Sequence, residues 1–254
     1  MFVACSTLCF SKEPLDNAFR RIADLEFNKI DLAITERGAH LRPSEVAENL
    51  EASLHKIRHA PSLTPAAIEI DFGEIPAAVL KRRFEAICRL AKPLTVAVLT
   101  FPAAPLGTSI ESEIERLSGL AEIAVCEGLV PTLLTHSKTL TADPAVAAAL
   151  CKAVPGLGLT LDPSHYLQGP NRGGSFDELY PYVRHVHFRD TGREPGAFQV
   201  RVGQGEIEYG KIVGQLERFG YDRGLTVAIH DNLDSPFEIE VEVRKMRLLL
   251  ESLL

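Results

Sequence analysis

Two hydrophobic periods alternate along the chain. Short apolar runs lie near residues 2–6, 29–34, 67–72, 94–100, 130–135, 157–162, 184–189 and 225–230. Between and after them, residues 14–25, 43–57, 76–91, 110–127, 144–153, 176–183, 209–219 and 237–253 carry apolar side chains at three- and four-residue spacing, the mark of amphipathic helices. Several of these stretches open at proline or just after Ser or Asp, as first helical turns prefer. Strand and helix taking turns in this way predict βα units and a parallel sheet. Eight such units, with no linker or low-complexity run between them, predict one (β/α)8 barrel spanning residues 1–254. A doubly wound sheet is the structural alternative.

Composition changes this picture little. A chain of 254 residues with 46% hydrophobic content suits one well-buried core. The net charge of −7 gives no attraction to a polyanion, so neither nucleic acid nor an anionic membrane is expected as a partner. The apolar opening lacks a basic start and is interrupted by Ser6 and Thr7, so it reads as a first strand rather than a signal segment. No run approaches the roughly 20 apolar residues that cross a bilayer. Five scattered cysteines without a Cys-x-x-Cys pair suggest free thiols in a reducing cytoplasm. Cys88, Cys126 and Cys151 fall on apolar helix positions and are expected in the core, whereas Cys5 and Cys9 flank the first strand's carboxyl end. Glu111, Glu113, Glu115 and Glu122 read as the wet side of a helix.

Chemistry gathers at the ends of the later strands, which read Leu161-Asp162-Pro163-Ser164-His165, His185-Val186-His187-Phe188-Arg189-Asp190 and Ile229-His230-Asp231. In a parallel barrel the carboxyl ends of the strands carry the active site. Neighbours on a strand point to opposite sides, so Asp162 shares the inward face with Thr160, and His187 shares it with His185 and Arg189. By the same parity Leu134 pairs with His136, Ala228 with His230, and Asp31 and Asp71 point inward from the second and third strands.

The order of these motifs resembles the xylose-isomerase-like barrel superfamily of sugar isomerases, epimerases and related endonucleases. Asp162-Pro163-Ser164-His165 is similar to its Asp-x-x-His, and His187-Phe188-Arg189-Asp190 to its His-x-Lys-Asp. Val202-Gly203-Gln204-Gly205-Glu206-Ile207 resembles its Val-Gly-x-Gly-x-Ile loop, and Gly220-Tyr221-Asp222-Arg223-Gly224-Leu225 its turn into the last strand. The likeness is dense from about residue 110 to 231. It implies a divalent metal on Asp162 and His187. The two glutamates that would complete such a site are missing, since Leu134 or Thr135 and then Ala228 stand in their places.

Two readings of Asp162 and His187 follow: an altered metal centre for Mn, Zn, Fe or Co, with His136 and His230 as substitutes, or hydrogen-bonding remnants of a lost one. The resemblance implies proton abstraction beside a carbonyl, with His230, His136 and Arg189 as the catalytic candidates and Asp71 and Asp231 as further carboxylates near the base's position. His165, His185, Asp31 and Asp71 are expected to bind substrate. Arg189 faces inward where the related motif has Lys, and a guanidinium fork suits a carboxylate or phosphate. Arg172 and Arg193 read as solvated loop charges, and Arg201 lies on the same loop as Arg193. The Gly203-x-Gly205 pair reads as a turn, and no nucleotide cofactor is implied. The expected function is a sugar isomerase or epimerase acting on a small sugar, polyol or hydroxy-carbonyl compound. The alternative is a degenerate barrel that binds a metabolite or protein partner without catalysis. The resemblance also implies pairing into homo-oligomers, for which the apolar last helix is a candidate surface.

Overall fold

The computed structural model describes residues 1–58, 63–231 and 237–254. Eight parallel strands close on themselves in sequence order. They are β1 (Phe2–Ser6), β2 (Lys29–Thr35), β3 (Thr64–Asp71), β4 (Val98–Pro102), β5 (Val130–Leu134), β6 (Gly158–Leu161), β7 (Val183–Phe188) and β8 (Gly224–Val227). The seam is the pairing of β1 with β8, where Val3 lies opposite Leu225 and Cys5 opposite Val227. Asp231 fastens it above the strands, accepting from Ser11 Oγ at 2.8 Å and the Lys12 amide at 3.3 Å.

Around the barrel run α1 (Leu15–Asp24), α2 (Pro43–Glu48), α3 (Leu50–Arg58), α4 (Ala77–Ala91), α5 (Ile110–Cys126), α6 (Pro144–Ala153), α7 (Ser164–Gln168), α8 (Tyr209–Arg218) and α9 (Ile239–Glu251). The helical period does its expected work. In α1, Leu15, Ala18, Phe19 and Ile22 form one buried stripe. Each large apolar side chain so buried contributes roughly 1.5–3 kcal/mol. On α9, Val243, Met246 and Leu250 face the barrel while Val241 and Leu248 stay exposed.

Four local expectations shift. The helix expected over 43–57 breaks at Asn49, whose backbone is extended and whose Oδ1 caps α3 by accepting the Ala52 amide at 3.0 Å. The fourth strand begins at Val98 rather than near 94, because a 3-10 turn and the left-handed Thr95 (φ 55°) precede it. Residues 176–183 hold only a 3-10 segment, Asp177–Tyr182, with Pro181 inside it. Glu113 is not on a wet face. It is 1% exposed and accepts the Ala104 amide at 2.9 Å and two bonds from Arg116 at 2.7 Å, tying the end of β4 to α5.

All five cysteines are free, and Cys126 is exposed rather than in the core. Cys5 and Cys9 are buried. Among the described residues no helix is long and apolar enough to cross a membrane.

The inward faces follow the strand parity. Thr100, Thr132 and Thr160, from β4, β5 and β6, bond to one another at 2.7–3.1 Å inside the barrel. Above this hydroxyl layer the strands end in the charged groups.

Candidate functional site at the strand carboxyl ends

A cavity of about 380 Å³ opens at the carboxyl ends of the strands, bounded by Glu69, Asp71, His136, His165, Arg189 and His230 with an apolar side of Ile70, Phe101, Pro102 and Leu134. Its size is that of a small-ligand pocket. A larger groove of about 610 Å³ lies outside the barrel between α4 and α5 and touches none of these groups.

Asp162 and Arg189 anchor the cavity floor. Arg189 Nη2 donates to Asp162 Oδ2 at 2.6 Å, while Asp162 Oδ1 accepts the Ser164 amide at 3.0 Å and the Ser164 hydroxyl at 2.5 Å. Asp162 is fully buried and Arg189 is 8% exposed. Burial alone would raise the Asp162 carboxyl, but the Arg189 cation together with His165, the Ser164 hydrogen bond and His187 outweighs it and holds the group well below the usual carboxylate range. Arg189 Nε is buried and has no hydrogen-bond partner among the described residues.

His187 makes a different attachment. Its Nε2 lies 3.1 Å from Asp31 Oδ2, which also meets His185 Nε2 at 2.5 Å. Burial opposes a charge on His187, but the hydrogen bond to Asp31 and nearby carboxylates raise its pKa. Asp162 and His187 thus hold different partners, and neither lines the mouth cavity. Asp31 and His185 do not line the mouth cavity. His185 sits two residues below His187, about 6.6 Å along the strand, and borders a separate cavity of about 280 Å³ at the opposite end with Phe2, Lys29 and Gly224. The substrate-binding role expected of Asp31 and His185 has no support in this placement, whereas His165 and Asp71 do reach the mouth. Asp71 is exposed at its rim and accepts the Gly73 amide at 2.9 Å. Asp231, considered as a base, is spent on the seam.

Three imidazoles share the wall. His136 and His165 pack against each other with centroids 4.1 Å apart and ring planes tilted by 40°. His136 Nδ1 accepts the Lys138 amide at 3.2 Å, so in the neutral ring the proton is on Nε2. Burial lowers the pKa of His136 and His230, and pushes His165 down to about 3, with Arg189 acting in the same direction on all three. The His165 shift predicts a pH effect on stability. The unfolded ring titrates near 6.5. Below that the unfolded chain binds the extra proton, so stability from the neutral ring is full above about pH 6.5 and is lost as pH falls toward about 3. Urea midpoints across that window should fall with pH in the wild type and less steeply in His165→Gln.

The largest group that sequence reasoning missed is Glu69. In Ile68-Glu69-Ile70-Asp71 it shares the inward face with Asp71, one step deeper. It lines the cavity, and its Oε2 is buried with no partner among the described residues. Burial raises its pKa, helped by Asp31 and Asp162 and opposed by His187 and Arg189. A carboxylate in the middle of an apolar strand was the available signal.

The loop after β7 is held by Asp190, whose Oδ2 accepts the Gly203 and Gly205 amides at 2.7 and 3.0 Å. A Cβ on Gly205 would lie 2.0 Å from Asp190 Oδ1. Gly205→Ala is therefore expected to cost about 1–3 kcal/mol, read as a lowered urea midpoint. Arg193 pairs with Glu206 on the exposed loop, Arg172 bonds the Arg193 carbonyl, and neither borders the mouth cavity.

This barrel, with its chemistry at the strand ends, is matched over residues 19–249 by the pattern of the family described as xylose isomerase-like TIM barrel. The chain belongs to that family. No curated protein matches the sequence. Among solved structures, it is similar to a xylose isomerase-like TIM barrel protein from Mycobacterium smegmatis in complex with magnesium, at 17% identity and TM-score 0.76, covering 99% of this chain and 97% of that one. An L-ribulose 3-epimerase matches at 15% identity and TM-score 0.72 over 100% and 96% of the two chains. The IOLI protein with a bound zinc atom matches at 16% identity and TM-score 0.72 over 100% and 96%. At these identities the likeness establishes the fold.

The metal implied by the family does not fit the mouth of this chain. Leu134 and Ala228 offer no donor, and both oxygens of Asp162 are engaged by Arg189 and Ser164. Asp31, His185 and His187 do bring one oxygen and two nitrogens within 4.8 Å of one another, a donor set that suits a borderline divalent ion. That set is buried and does not line the mouth cavity, so an ion there would have a structural place rather than a substrate-facing one.

Proposed function

We propose that this protein is an isomerase or epimerase of small hydroxy-carbonyl compounds, working at the mouth cavity through its own side chains. The observation that carries the reading is Glu69, a carboxyl group with a buried, unpartnered oxygen on the wall of a ligand-sized cavity. Its burial moves the pKa toward the range in which a carboxylate serves as a general base. Ionised Glu69 takes the proton from the carbon beside the carbonyl. The carbonyl oxygen gains charge as the enediolate forms and accepts a hydrogen bond from His136 Nε2–H, a neutral donor of the kind that stabilises oxyanions. Return of the proton from Glu69 to the neighbouring carbon, with a hydroxyl proton passing between the two oxygens, completes an isomerisation. His230, on the same wall, is the second group for proton delivery when the configuration at one carbon inverts. His165 and Asp71 bind hydroxyls, and Arg189 positions the substrate.

The structural neighbours that include an epimerase agree with this reaction class. The second reading, a barrel that only binds, is favoured by the missing glutamates at Leu134 and Ala228.

Proton exchange separates the two. Aldoses, ketoses and uronic acids incubated with the protein in deuterated water are expected to lose a carbon-bound proton beside the carbonyl, followed by NMR, and to do so undiminished with a chelator present. Binding without exchange across the panel would leave the barrel a binding protein. Exchange abolished by the chelator would refute the side-chain mechanism.

A further inference from the structure

We infer that the mouth takes a substrate bearing a carboxylate, held by the guanidinium of Arg189; the inference rests on the reading of the mouth as the substrate site. Arg189 is more than nine-tenths buried, and it lines the cavity. Its Nη2 goes to Asp162, yet its Nε–H is buried and unpartnered among the described residues. A buried N–H of a cation without an acceptor is costly, and a ligand oxygen that meets it removes the cost. A guanidinium presents its donors in a plane, and a carboxylate matches that fork.

The rest of the wall narrows the choice of anion. Arg189 is the one Lys or Arg among the described residues that border the cavity, and Glu69 and Asp71 border it as well. A dianionic phosphate would face both carboxylates with a single cation already shared with Asp162, whereas a carboxylate brings one negative charge. The polar wall of Thr100, Thr139, His136 and His165 suits the hydroxyls of the same molecule. The chemical class is therefore a small sugar acid or hydroxy-keto acid.

The probes are D-glucose, D-glucuronate and D-glucose 6-phosphate, which differ at one carbon, titrated calorimetrically into the intact protein at low ionic strength. Glucuronate is expected to bind roughly tenfold or more tightly than glucose, the size of one charge-assisted hydrogen-bonded contact, and more tightly than glucose 6-phosphate. Equal binding of glucose and glucuronate, or tightest binding of the phosphate, would overturn the inference. In Arg189→Met combined with Asp162→Asn, which removes both buried charges together, the gap between glucuronate and glucose should close. Arg189→Lys keeps Asp162 paired and carries the same test if the double variant does not fold. Its preference for glucuronate should shrink by about threefold or more, since the fork is lost, and an unchanged preference counts against Arg189. Glucuronate bound selectively but never exchanged sinks the proposed reaction and leaves this inference standing. Exchange of glucose and glucuronate with equal binding does the reverse.

Discussion

Glu69→Gln is expected to lower the rate of proton exchange by about 10²–10⁴-fold, the usual worth of a positioned general base. The substitution keeps the size of the side chain and a hydrogen-bonding oxygen, but removes the group that accepts the proton. Ligand affinity measured by calorimetry should stay within a few fold, because Arg189, His165 and Asp71 remain on the cavity wall. Stability should hold or rise, since a carboxyl with one buried, unpartnered oxygen is exchanged for a neutral amide. A variant that binds normally and still exchanges at the wild-type rate would remove Glu69 from the mechanism and return the role of base to His230.

Asp162→Ala should have the largest effect on stability. It strands the Arg189 cation at 8% exposure with its 2.6 Å partner gone, and breaking such a buried pair from one side costs about 3–5 kcal/mol. Urea denaturation reads this directly. Asp162→Asn with Arg189→Met should lose much less than the sum of the single changes, because no uncompensated charge remains. The cycle also distinguishes the two histories of this residue read from the sequence. A carboxylate kept as a metal ligand would show its main effect in loaded protein, while one kept as the counterion of Arg189 shows it with no metal added.

The fold was legible because eight apolar runs and the helices between them differ in period, and a period survives without knowledge of tertiary contacts. Strand parity also placed Thr160, Asp162, His185, His187 and Arg189 on the inward side. Parity says which side a residue faces but not how high it stands, so it does not separate His185 and Asp31 from the mouth cavity, which they do not line. Pairing across strands depends on register, and for that reason the attachment of Asp162 to Arg189, and of His187 to Asp31, could not be read from spacing. Glu69 is not marked by any strand-end motif, because it stands one pleat further in than Asp71. Likewise Glu113 looked solvent-facing by helical period. Its burial depends on Arg116 and on the Ala104 amide, a contact that helix periodicity does not encode.

The clasp of Asp231 on Ser11 and Lys12 bears on how the molecule is made. These partners stand 219 and 220 positions apart in sequence, and β1 has its closing neighbour only once β8 has left the ribosome. During synthesis the earlier strands can therefore form at most an open sheet with two unfilled edges. His230 belongs to the same late segment, so the pocket becomes whole only in the last stage of assembly.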